Sequence, residues 1–182
     1  MIKKILLVLA LILVGVAILA AFQPSTYRIE RSVSVAATPA ALFPRLNDLH
    51  QTHEWSPWKA LDPNATYTFE GPAAGVGASQ SWSGNSDVGA GRQTIVESRS
   101  NELVRLRLEF FKPMAGVSDA QFTLKPAGDH TVVTWSMSGE NNYLGKVFCL
   151  FMNQDKMIGG EFEKGLATLK RTSETPAAAK TN

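Results

Sequence analysis

The sequence predicts an α+β domain in which one curved antiparallel sheet of seven strands carries helices on one face and is closed by a long C-terminal helix. Three observations carry this expectation. Apolar and polar residues alternate with period two along residues 27–35, 103–111, 117–125 and 131–138. Turn signals recur at Gly71-Pro72, Gly84-Asn85, Gly89, Asn101, Pro113 and Gly128-Asp129, the punctuation of an antiparallel meander. Beyond these, the apolar residues change to a spacing of about 100° each, the period of a helix.

Before the first strand, residues 5–22 hold no charged or strongly polar side chain, and Lys3 and Lys4 precede them. Such a run rises roughly 27 Å as a helix, against roughly 30 Å for a bilayer core. A cleaved leader and a retained anchor both start this way. The exit Ile18-Leu19-Ala20-Ala21-Phe22 puts Ile18 or Leu19 where a cleavage site wants a small residue, which favours the anchor. The positive charge of Lys3, Lys4 and the terminal amine, against Arg28 and Arg31, orients the N-terminus inside and the domain outside. In a bacterium that outer side is the periplasm. The expected division is an anchor over 1–24, a domain over 25–171 and a disordered tail over 172–182.

In residues 27–35, Tyr27, Ile29, Val33 and Val35 alternate with polar residues, and Arg31 alone breaks the pattern. Thr38-Pro39 reads as an N-cap followed by proline at the first helical position, predicting a helix over 39–47. Residues 50–64 carry little periodicity. Strands follow at 66–70, 78–83, 91–98, 103–111, 117–125 and 131–138. One face of the later strands is uniformly apolar: Val104, Leu106, Leu108 and Phe110, then Ala120, Phe122 and Leu124, then Val133, Trp135 and Met137. The other face can meet water. In the last third, Leu144, Val147, Phe148, Phe151, Ile158, Phe162, Leu166 and Leu169 form one stripe, with a break expected within 152–160 around Gly159-Gly160. The terminal helix buries this stripe on the sheet, and a twisted sheet can grip it while leaving a hollow where the two diverge.

Of 182 residues, 45% are hydrophobic and 19% charged, which excludes disordered and disulfide-rich classes. The net charge is +2. Setting Lys3 and Lys4 aside leaves equal numbers of basic and acidic residues, so the domain lacks the basic excess of a nucleic-acid binder. A single cysteine, Cys149, excludes an internal disulfide, and a buried inert thiol is expected.

Candidate chemistry is sparse. His50 and His53 could face one metal from a helical turn, but no matching further ligand follows, so a solvated surface pair is expected and no metal. Asp155 falls close to the middle of the apolar stripe, where an unpaired charge is costly. It should cap a helix, meet a donor or face a wet cavity, and it is the one weak catalytic candidate. No Gly-x-Ser-x-Gly elbow is present. Gly71-x3-Gly75-x-Gly77 lacks a following Lys-Ser/Thr and leads into a strand, so it reads as a hairpin and not a phosphate loop. No cofactor is expected.

Several motifs resemble the polyketide cyclase/dehydrase-like branch of the START and birch-pollen-allergen superfamily, also called SRPBCC. They are Glu54-Trp55-Ser56-Pro57-Trp58 with Asp62-Pro63, then Gly71, Gly75 and Gly77, then Trp82-Ser83-Gly84 and Thr131-Val132-Val133-Thr134-Trp135. Asp155-Lys156-Met157-Ile158-Gly159 and Phe162-Glu163-Lys164-Gly165-Leu166 complete the set. The match runs over about residues 27–170. The resemblance implies a helix-grip fold around a hydrophobic cavity without fixing an activity. Candidates to line the cavity are Trp55, Trp58, Trp82, Phe110, Phe122, Trp135, Met137 and Phe162, with core packing the alternative for Trp135 and Met137.

The expected function is membrane-anchored binding of a hydrophobic or amphipathic small molecule, lipid-like in one version, with residues 5–22 in the membrane. The alternatives are a cyclase or dehydratase acting in the same cavity, and an interaction domain with a filled core.

Overall fold

A computed structural model describes residues 1–175. After α1 (Ile2–Ala21) come β1 (Thr26–Val35), α2 (Pro39–Asn47), α3 (Leu49–Trp55) and α4 (Trp58–Leu61). The meander is β2 (Thr66–Glu70), β3 (Ser79–Ser83), β4 (Ala90–Arg99), β5 (Leu103–Lys112), β6 (Gly116–Ala127) and β7 (His130–Glu140). Two helices, α5 (Tyr143–Phe151) and α6 (Gln154–Glu174), end the described chain.

The seven strands form one antiparallel sheet in the order β1-β7-β6-β5-β4-β3-β2, the architecture the alternation predicts. Its first strand pairs with its last, Thr26 opposite Glu140 and Val35 opposite Thr131. A register shift between Ile95 and Glu97 of β4 inserts a bulge against β5, which adds to the curl of the sheet. The inner face carries Ile29, Ile95, Val104, Leu106, Phe122, Leu124 and Val133, all buried, and α6 sets Phe162, Leu166 and Leu169 against it.

Arg31, the break in the β1 pattern, points inward with Ile29 and Val33 and meets α6. Its Nε donates to Glu163 Oε1 at 2.6 Å, and Nη1 and Nη2 donate to the Asp155 carboxylate at 3.0 and 2.9 Å. Gly159 makes this possible: a Cβ there would overlap the guanidinium. The glycine pair is therefore no kink. The break falls earlier, where Met152 is extended and Asn153 caps α6 by accepting from Lys156 N at 3.0 Å.

That break divides the expected apolar stripe. Its α6 half is buried on the sheet, but Leu144 and Phe151 of α5 are 63% and 73% exposed. A new cap resets the helical phase, and α5 lies along α1 instead of the sheet, with Tyr143 Oη donating to the Ala17 carbonyl at 3.2 Å.

Residues 50–64, expected to be irregular, contain α3 and α4. Asp48 starts α3 by accepting from His50 N at 2.9 Å, and the side chains recurring every third residue, Leu49, Thr52 and Trp55, are buried. The helix over 39–47 stands as expected, with Thr38 Oγ1 accepting from Ala41 N at 3.3 Å. At the other end α6 runs through Glu174, into the stretch expected to be tail, held by Lys170 Nζ and Ala36 N, both donating to Glu174 Oε1. Residues 176–182 lie outside the described residues.

Candidate functional site

A hollow of about 260 Å³ lies between the inner sheet face, α6 and the α3–α4 segment. Two larger hollows, of about 680 and 540 Å³, are grooves between β1 and α6 and between β1 and α5. The smaller hollow reaches into the core, and its wall is the best formed.

Its floor is aromatic. Trp135 stacks on Phe162 with ring centres 4.0 Å apart and planes 10° from parallel. Trp55 meets Trp135 and Phe122 edge-on at 5.6 and 5.7 Å, and its Nε1 donates to the Arg45 carbonyl at 3.1 Å. That bond satisfies the one polar atom of a buried indole. Gly165 lets the helix approach, since a Cβ there would sit 2.9 Å from Pro57 and 3.0 Å from Trp135. Towards the end of the sheet, Trp82 leans edge-on against Phe110 at 5.9 Å and donates its Nε1 to the Val88 carbonyl at 3.2 Å. Gly91 leaves room for that indole, because a Cβ would come within 2.5 Å of it.

The mouth is made by residues 86–89 of the β3–β4 loop and by Lys112 and Pro113. Asp62, buried at the end of α4, ties this loop down: its carboxylate accepts from Asn85 N at 2.7 Å and from Asn64 N at 3.0 Å. Asn85 Oδ1 in turn accepts from Asp87 N and Val88 N.

One corner of the wall is polar, built by α3, β2, β3 and β4. Gln93 Nε2 donates to Gln80 Oε1, and Gln80 Nε2 donates to His53 Nδ1 at 3.5 Å. Gln80 is only 4% exposed. His53 lies against Tyr67, ring centres 4.3 Å apart, and the Tyr67 hydroxyl is buried without a hydrogen-bond partner among the described residues. Burial, then repulsion from Lys59 and His50, pushes the His53 imidazole below the usual histidine range, with Glu54 opposing. Burial, then the charge of Asp62, raises the Tyr67 phenol. The corner therefore offers a neutral imidazole, a protonated phenol and two amides.

All eight side chains named as cavity candidates (Trp55, Trp58, Trp82, Phe110, Phe122, Trp135, Met137 and Phe162) stand around this hollow. Asp155 does not. It is 58% exposed in the first turn of α6, outside the cavity lining, and Arg31 beside it holds its carboxyl below the usual range. The cap it was expected to supply is Asn153. The surface reading of the histidines holds for His50, which is exposed and stacks on Phe69 at 3.8 Å, and fails for His53, which lines the cavity. Cys149, expected to be buried, is partly exposed on α5. Gln80, Gln93 and Tyr67 were missed. The strand alternation could have found them, because Gln80 shares a face with Trp82 and Gln93 with Gly91 and Ile95.

Solved structures with this architecture include the ginseng major latex-like protein 151 from Panax ginseng, 12% identical, covering 84% of this chain and all of that one, TM-score 0.60. A norcoclaurine synthase point mutant from Thalictrum flavumn, solved with a transition-state analogue, is 12% identical over 81% of this chain and 94% of its own, TM-score 0.62. Protein CV1439 from Chromobacterium violaceum is 15% identical over 83% and 98%, TM-score 0.58. At such identities the likeness is one of fold. No curated protein matches the chain. The family model described as polyketide cyclase/dehydrase and lipid transport matches residues 26–174, and with helix-grip architecture and internal hollow in place, the chain belongs to that family.

Proposed function

We propose that the protein is a membrane-tethered binding domain for a small apolar or amphipathic molecule. The observation that carries this reading is the 260 Å³ hollow with an aromatic and aliphatic wall and a single polar corner. A filled interior would leave no such space. The volume is just below the roughly 300–1,000 Å³ usual for small-molecule sites, and equals about nine waters at ~30 Å³ each. It suits a compact guest, its apolar body on Phe110, Leu108 and Met137 and a hydrogen-bonding group at His53, Tyr67 and Gln80. The tether is α1, long and apolar enough to cross a bilayer, with the domain on the outer side.

The polar corner favours a second reading, catalysis of a cyclisation or dehydration. The neutral His53 imidazole can accept a proton at Nδ1 by giving up the 3.5 Å contact from Gln80. The protonated Tyr67 phenol, without a partner among the described residues, can donate one to a carbonyl or a leaving hydroxyl. His53→Gln and Tyr67→Phe distinguish the two: a carrier keeps its guest with altered affinity, whereas an enzyme keeps binding and loses turnover.

The deciding experiment is mass spectrometry of an organic extract of the full chain, purified in mild detergent from its native host. A stoichiometric apolar compound is expected with the wild type and not with Leu108→Trp, which fills the hollow. Equal traces from a folded Leu108→Trp and the wild type overturn the proposal.

A further inference from the structure

The sheet register places the mouth of the hollow and the exit of α1 at the same end of the domain. Thr26 pairs with Glu140, Gly139 with Ser118, Phe110 with Gly116, Ala90 with Lys112 and Ser83 with Ala90. Following these partners across the sheet, the start of β1, the entry to α5, the β5–β6 loop and the β3–β4 loop share one edge. The last two loops supply the mouth residues Asp87, Val88, Lys112 and Pro113.

This end is also where the domain exposes its large apolar side chains. Past Phe22, the exposed ones among the described residues are Phe111, Met114, Val117, Tyr143, Leu144, Phe151 and Met152 at this end, Met157 in the first turn of α6, and Val76 and Val96 away from it. Exposed apolar surface gathered at one end marks a contact. The occupant follows from α5. That helix lies along the last turns of α1, its Tyr143 bonded to the Ala17 carbonyl and Ala20 fully buried. Ala17 is one turn inside the end of α1, roughly 6 Å at about 1.5 Å per residue. With α1 across a bilayer, α5 then lies at the depth of roughly 5–10 Å reached by interfacial helices. Charge at this end is mixed, Lys112, Lys146 and Lys156 beside Asp87, Glu140 and Asp155, so seating depends on apolar insertion and not on anionic lipid.

We propose that this end is seated in the headgroup boundary of the bilayer that α1 spans, with α5 as an interfacial helix, so that the hollow opens onto the lipid and takes its guest from the leaflet. The loading step rests on the binding function proposed above, and the seating on the tether proposed with it.

The test uses the full chain in phosphatidylcholine vesicles, in a Cys149→Ser background, with Met114→Cys, Leu144→Cys or Glu102→Cys carrying a polarity-sensitive fluorophore. Glu102 is exposed at the opposite end. Nitroxide placed high on the lipid acyl chain should quench the probes at 114 and 144 strongly and leave that at 102 nearly unchanged. Equal, weak quenching at all three positions overturns the seating. A Leu144→Asp, Phe151→Asp double variant, checked for folding by circular dichroism, should lose the quenching at 114 and carry several-fold less guest than the parent. Undiminished guest in that variant overturns loading from the leaflet. A parent that carries no guest refutes the binding function, while quenching still decides the seating.

Discussion

Arg31 and Gly159 meet across the gap between β1 and α6, the guanidinium lying over a Cα that has no room for a Cβ. From there Arg31, 24% exposed, bonds Asp155 and Glu163 one on each side of the glycine. The glycine thus serves the strand residue, not the bending of its own helix.

This arrangement makes an acid-sensitive fastening. The bonds to Asp155, then to Glu163, raise the Arg31 pKa, and the bond from Arg31 lowers that of Asp155. A depressed carboxyl stabilises the fold above its unfolded pKa, near 3.8, and the contribution vanishes as pH falls through the folded value. In Gly159→Ala the mobile head of Arg31 must swing away, while the helix gains roughly 0.5–1 kcal/mol from losing a glycine. Thermal unfolding against pH should find Gly159→Ala close to the wild type at neutral pH and flatter on acidification, like Asp155→Asn. An unchanged acid limb in both variants counts against the pairing.

For His53 the sign runs the other way. Its folded pKa lies below the unfolded 6.5, so on acidification the unfolded chain takes a proton there first. Stability therefore falls as pH drops below about 6.5, until the folded imidazole also protonates. Urea midpoints at neutral and mildly acidic pH should differ less in His53→Gln than in the wild type. Equal slopes would mean that the imidazole is as solvated folded as unfolded.

At Gly91 a Cβ would press on the Trp82 ring and the Glu109 carbonyl, both at 2.5 Å. Neither is the free end of a flexible chain. Gly91→Ala should cost about 1–3 kcal/mol, the range for overpacking, and change Trp82 fluorescence by displacing the ring. A variant as stable as the wild type would show that the strand yields at no cost.

Phe162 is 1% exposed and stacked on Trp135. Phe162→Ala should lose about 3–5 kcal/mol, measured by chemical denaturation, and enlarge the hollow at its floor. A loss below about 1 kcal/mol would indicate that the ring already borders open space.

Much of the fold was legible because one strand face is wholly apolar: period two placed Phe122, Trp135 and Met137 on the inside without knowledge of their partners. The helix over 39–47 was legible from Thr38-Pro39 alone. What escaped needed tertiary information. α3 is short and depends on the Asp48 cap and on burying Leu49, Thr52 and Trp55 under the sheet. The break at Asn153 falls inside the 152–160 window expected for it, but that expectation hung on Gly159-Gly160, and only the proximity of Arg31 explains Gly159. The aromatic wall could be named from sequence. The polar corner could not be assembled, since His53, Tyr67, Gln80 and Gln93 come from four elements that only folding brings together.

Four residues separate α1 from β1, and they are pinned: Asn141 N donates to the Ser25 carbonyl at 2.8 Å, and Asn141 Nδ2 to the Pro24 carbonyl at 3.4 Å. Even fully stretched they would span about 14 Å, less than half a bilayer's width. On the proposed seating the domain is a fixed port and not a ferry. Cargo arriving there must leave by sideways diffusion in the same leaflet or be collected by a visitor that comes to it.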